Sequence, residues 1–162
     1  MTSLHNQNVV PKTAIAQLEA LAQLLQRTLE KSLLGLILHG SAASSGFEIE
    51  RSDLDVLAII ESELTPTQAQ TIGQRILLIS NQPHPIEISI VKKAHLDKWS
   101  HSCCHLFHYG EDQRQSFAAG RFKPETPTDE DLANHITMAR ARGADLLGTY
   151  PTQRLPVVPG EH

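Results

Sequence analysis

The sequence predicts an α/β domain: one small mixed sheet flanked by helices, with a helical extension at its C-terminal end. Three observations carry this. Residues 12–31 space their apolar side chains as a helix does. Short apolar runs at 33–40, 53–60 and 86–91 have strand length. A second helical stretch lies between the last two of these runs.

In chain order, KTAIAQLEALAQLLQRTLEK (12–31) places Ile15, Leu18, Leu21, Ala22, Leu25 and Leu29 on one stripe, with Pro11 just before it, where proline suits a helix start. LLGLILHG (33–40) is apolar on both faces, the pattern of a central strand covered on two sides. A polar connection, SAASSGFEIERS, leads to the second strand, Asp53 to Ile60. Thr65 then reads as an N-cap with Pro66 at the first helical position, and Ala69, Ile72 and Ile76 mark the inner face of the helix that follows. The loop NQPHP precedes IEISIV (86–91), whose strict alternation makes a third strand with Ile86, Ile88 and Ile90 on one face and Glu87, Ser89 and Val91 on the other. Residues 94–119 read as short helices and loops. Pro124 and Pro127 bracket a linker, and Thr128 to Asp131 fit a capping box for a helix that runs to about Gly148, ahead of an irregular tail.

Composition bounds the function. At 162 residues the chain is long enough for one domain with a small appendage, and a net charge of −4 supplies no basic footprint for nucleic acid. No apolar run is long enough to span a bilayer, and MTSLHNQNVV lacks the basic start and apolar stretch of a signal peptide. Cys103 and Cys104 are adjacent, a poor arrangement for a disulfide, so a reducing cytoplasm is the expected compartment.

Asp53 and Asp55, separated only by Leu54, stand at the start of a buried strand. Residues two apart on a strand share a face, so their carboxylates project together, about 6–7 Å apart. Repulsion and desolvation oppose that arrangement unless a cation is bound, and carboxylate oxygens are the natural ligands of Mg²⁺. The plain alternative is two solvated acids at the surface end of a strand. Gly40-Ser41 closes the preceding strand, where a glycine lets a phosphate approach the backbone and a serine adds donors. His39 ends the strand beside that turn. Glu87 is a third acid, able to share a face with the pair or to face solvent from an edge strand.

Gly40-Ser41, Asp53-x-Asp55 and a later strand acid together resemble the nucleotidyltransferase superfamily of DNA polymerase beta. GSAASSGFEIERSDLDVLAI, PIEISIV, FHYGEDQRQSFAAGRFKPET and DEDLANHITMARARGADLLG are similar, from about Leu33 onward, to the aminoglycoside (3″)(9)-adenylyltransferases, which inactivate streptomycin and spectinomycin. The resemblance implies a polymerase-beta-like fold, with a nucleotidyltransferase domain at 1–124. Residues 125–162 then hold the linker, the first helix of a helical domain and the tail. It implies AMP transfer from ATP to a hydroxyl of a small aminoglycoside-type acceptor. Asp53 and Asp55 then bind Mg²⁺ and nucleotide, Gly40 and Ser41 bind phosphates, and Glu87 acts as base or as a metal ligand.

Three departures stand out. The Ser41-to-Asp53 spacing is one residue longer than usual. Asp112 occupies the place of a tryptophan that helps form the drug site. The family's C-terminal helical domain is represented only by the helix at 129–148. That helix is expected to leave an apolar face for self-association, and the chain alone to adenylylate little antibiotic. Two rival readings follow: a minimal nucleotidyltransferase that modifies a protein partner, as in toxin–antitoxin pairs, and a catalytically incomplete nucleotide-binding module. A further cluster, His101, Cys103, Cys104, His105 and His108, has histidines at helical spacing, but its adjacent cysteines suit burial better than a zinc site. Trp99 reads as a packing residue.

Overall fold

The structure, a computed structural model, describes residues 4–6, 10–44, 46–99, 105–122 and 130–158. The linker prolines Pro124 and Pro127, the cap Thr128, and His101, Cys103 and Cys104 lie outside the described residues.

Helix α1 spans Ile15–Leu29, flanked by 3-10 turns at Lys12–Ala14 and Glu30–Ser32. The expected stripe is real: Leu18, Leu21, Ala22, Leu25 and Leu29 are buried, and Ile15 packs at its margin. Strand β1, Leu33–His39, leads through a 3-10 turn, Gly40–Ala43, toward β2, Leu54–Ile60. Asp53 therefore sits one residue ahead of its strand. Helix α2, Pro66–Ile79, starts as the sequence indicates: Thr65 Oγ1 accepts from the Gln68 amide at 3.1 Å, and Gln68 Oε1 accepts from the Thr65 amide at 3.0 Å. Strand β3, Ile86–Lys92, follows, then the short helix α3, Lys93–Asp97, strand β4, Phe107–Tyr109, and helix α4, Arg114–Ala118.

The five strands order as β4-β3-β2-β1-β5. β2 and β3 are parallel, joined by α2 as a crossover, and the other pairs are antiparallel. The alternation sorts side chains to two cores. Leu36, Leu38, Leu54, Val56, Ile86, Ile88 and Ile90 meet α1 and α2 on one face. Ile37, Leu57, Ile59 and Val91 meet Leu132, Ile136 and Ala139 on the other. β3 lies between β2 and β4, so Glu87 is not on an edge strand.

The C-terminal segment departs from expectation. The helix meant to reach Gly148 is α5, Glu130–Arg142, and residues Ala144–Gly148 form β5 along β1. ADLLG suits either helix or strand by composition, but the outer edge of β1 offers unpaired backbone groups, and pairing there satisfies them. The apolar side of α5 is covered by the chain itself, since Leu132, Ile136 and Ala139 are all buried on the sheet. The stripe expected to pair with a second copy is thus occupied.

Gly148 closes β5 at φ +87°, where a Cβ would meet Leu34 O and Gly35 Cα. A methyl there overlaps the Leu34 carbonyl and strains the backbone. Gly148→Ala should cost about 2–4 kcal/mol in denaturant unfolding. A variant as stable as the parent would show that the β1–β5 pairing contributes little.

Candidate active site

Register builds the site. His39 on β1 faces Asp55 on β2, and Asp55 lies beside Glu87 on the parallel neighbour β3. These three residues form one row across the sheet, at the rim of the face that carries α5. The next row inward is Ile37, Leu57, Ser89 and His108, so the polar line opens directly from the apolar core beneath α5.

Asp53, just before β2, completes the group. Asp53, Asp55 and Glu87 each present a carboxylate oxygen within 4.8 Å of the others, the one such set of metal-binding side chains among the described residues. No lysine or arginine forms an ion pair with any of the three among the described residues. Two imidazoles approach the group, His108 Nε2 and His135 Nε2, each 3.8 Å from Glu87 Oε2.

The electrostatics follow. Burial, reinforced by Glu87 and then Asp53, raises Asp55 to about 7. Burial and then Glu111 raise Asp53. Burial also raises Glu87, with Asp53 and Asp112 adding to it and His135 opposing. Three acids with elevated proton affinity and no lysine or arginine partner among the described residues have the chemistry of an oxygen cage for a hard divalent cation. The fit is of donor type and spacing, and all three residues named from the sequence converge in it.

Gly40 is the second part of the site. It holds φ +66°, and a Cβ there would overlap the Asp55 carboxylate, so glycine lets this turn lie against the acid without displacing it. Ser41 follows within the same turn, its carbonyl accepting from the Ser44 amide at 3.1 Å. The turn after β1 and the acids of β2 and β3 thus share one corner of the sheet.

Glu111, next to the place where tryptophan was expected, anchors the opposite wall. Its Oε2 accepts from Ser80 Oγ (2.6 Å) and Tyr109 Oη (2.7 Å), and its Oε1 from Arg114 Nε (2.8 Å) and Asn81 Nδ2 (2.9 Å). These bonds, the Arg114 one foremost, hold its carboxyl down at about 2. They tie the end of α2 to the turn at Gly110–Gln113 and so fix exposed Asp112 next to Gly110, on the Glu87 side.

Sequence reasoning placed His39 only beside the turn and gave His108 only to a Cys/His cluster. His105 and His108 do pack ring on ring, with centroids 5.2 Å apart, but His108 faces Glu87. His135 went unnoticed, although Leu132, His135, Ile136 and Ala139 have the spacing of one helix face and could have marked it as inward-facing.

No protein-family model matches the chain. It is 28% identical over 156 residues to a spectinomycin 9-adenylyltransferase of Staphylococcus aureus, an alignment covering 93% of this chain and 58% of that protein. It is 30% identical over 149 residues to an aminoglycoside (3″)(9) adenylyltransferase of Klebsiella pneumoniae, covering 88% and 56%. Its fold superposes with a TM-score of 0.80 on a spectinomycin adenyltransferase of Enterococcus faecalis crystallised with ATP and spectinomycin, at 25% identity over 89% of this chain and 60% of that one. The chain spans a little over half the length of the curated relatives it matches.

Proposed function

We propose that this chain, a homologue over its own length of the spectinomycin and aminoglycoside adenylyltransferases, carries the nucleotide-activating part of an enzyme that moves AMP from ATP to a hydroxyl of an aminoglycoside-type antibiotic. The observation that carries the reading is the convergence of Asp53, Asp55 and Glu87 within 4.8 Å, beside the Gly40 turn that lies against Asp55.

In this reading Asp53 and Asp55, with Glu87 in reach, hold Mg²⁺, which when bound neutralises triphosphate charge. Gly40 and Ser41 take the phosphates: the bare Cα of Gly40 allows close approach, and Ser41 offers its hydroxyl and amide. The acceptor hydroxyl gives its proton to Glu87, whose proton affinity burial raises above that of an ordinary carboxylate. The acceptor oxygen bonds to the α-phosphorus, the bond to the β-phosphate oxygen breaks, and pyrophosphate leaves. Phosphoryl transfer of this kind asks the protein mainly for alignment and charge compensation, which a compact corner of a sheet supplies. Exposed Asp112 beside Glu87 gives the acceptor side an acidic wall, suited to the ammonium groups of an aminoglycoside.

Incubation with ATP, Mg²⁺ and either streptomycin or spectinomycin tests this, read by mass spectrometry of the drug and by pyrophosphate release. The expected result is Mg²⁺-dependent ATP binding with only a low yield of the drug plus one AMP, that product absent in EDTA. Absence of Mg²⁺-dependent ATP binding by calorimetry would overturn the whole reading. ATP binding with AMP appearing on a protein instead of a drug would overturn the acceptor alone. No helix among the described residues is long and apolar enough to cross a membrane.

A further inference from the structure

The Glu87 carboxylate is gripped from two sides by imidazoles that arrive on different elements. His108 comes from β4, directly across from Ser89, and its Nδ1 is 2.9 Å from Ser89 Oγ, which turns Nε2 toward Glu87. His135 comes from α5, where Leu132, Ile136 and Ala139 are buried on the sheet and fix the helix in place. At 3.8 Å both contacts to Glu87 Oε2 are close packing, too long for direct hydrogen bonds.

His135 is itself backed. The ring of His39 packs against it, centroids 5.3 Å apart at 42°. His39 is only 3% exposed, its Nδ1 is buried and has no hydrogen-bond partner, and it stands across from Asp55 in the sheet. His39 thus stands as a buried wedge between the acid row and α5. An isolated group of three carboxylates tends to splay, each turning toward water. Here Glu87, half-buried, has a ring against it that is itself backed by buried His39.

We propose that His135 is a positioning residue for Glu87: carried by α5 and wedged by His39, it holds the Glu87 carboxylate in the orientation that lets it act with Asp53 and Asp55 on one divalent cation. α5 then does more than cover the apolar face of the sheet, because its seating completes the acid group. This inference rests on the nucleotidyl-transfer reading above.

The test is Mn²⁺ titration of the metal-free chain, followed by the electron paramagnetic resonance signal of free Mn²⁺, so that no acceptor is needed. His135→Leu should weaken Mn²⁺ binding about tenfold, within the range for groups that orient metal ligands. His135→Gln, which keeps a polar end at the same reach, should restore affinity to within about threefold of the parent. In a Glu87→Gln background, His135→Leu should cause no further loss, because the group it positions is already changed. Leucine continues the Leu132–Ile136 stripe, so thermal unfolding should stay at the parent value; if it falls, the Gln variant carries the comparison. Unchanged affinity in His135→Leu, or an equal loss in both backgrounds, would overturn the proposal. A parent chain that binds no Mn²⁺ would sink the nucleotidyl-transfer reading and this inference with it, whereas a parent that binds while His135 proves silent sinks this inference alone.

Discussion

Asp55→Asn is expected to abolish Mg²⁺-dependent ATP binding and, at the same time, to make the metal-free chain more stable at pH 8. Both effects come from one cause. Asp55 is half-buried between Glu87 and Asp53, and its proton affinity is raised to about 7 from an ordinary 3.8. A carboxyl whose folded value exceeds its unfolded value binds more protons in the native state across that window. The fold is therefore favoured below about pH 4 and loses stability as pH rises toward 7. At pH 8 the side chain is charged in both states, and the full penalty stands. Asparagine removes the charge and keeps the shape, so the variant should gain about 1–3 kcal/mol at pH 8 in EDTA, discounted for partial exposure. The gain should vanish below about pH 4. Thermal unfolding at the two pH values reads the stability effect, and calorimetry of ATP with Mg²⁺ reads the binding. A variant with unchanged Mg²⁺-ATP affinity would remove Asp55 from the site, whatever its stability.

Glu87→Gln is the second large effect. As the base, Glu87 takes the acceptor proton, and its loss should lower AMP transfer about 10²–10⁴-fold, while Mg²⁺-ATP affinity, to which its carboxylate adds one oxygen at the cation, falls only about tenfold. Its position supports this. It is outermost of the row, Asp55 lies between it and His39, and Asp112 stands on its open side. Single-turnover transfer and ATP calorimetry on the same variant separate the two roles the residue can play. A fall in Mg²⁺-ATP affinity as large as the fall in transfer would make Glu87 chiefly a metal ligand. Full transfer would leave it an ordinary strand glutamate.

Which features were legible in the sequence depends on how local their causes are. The period of two along a strand is a property of the backbone alone, so IEISIV by itself puts Glu87 opposite its isoleucines, and D-L-D puts two acids on one side of Leu54. The start of α2 is equally local, since Thr65, Pro66 and Gln68 satisfy each other's backbone groups within one turn. Gly40 could be read the same way, as a residue that a tight approach demands. The resemblance to adenylyltransferases rested on these stretches.

Other features have causes far apart in the chain. Asp55 and Glu87 are neighbours because β2 and β3 pair in parallel with one register, which α2 permits and no short segment encodes. ADLLG becomes a strand instead of the end of α5 because the edge of β1 offers hydrogen bonds to it, and that edge is made over a hundred residues earlier. The same docking turns the apolar side of α5 inward and brings His135 over the acid row. Patterns set by backbone geometry can be read from a few residues. Partners supplied by another part of the chain exist only once the sheet has formed, so the tertiary structure alone decided which histidines meet Glu87.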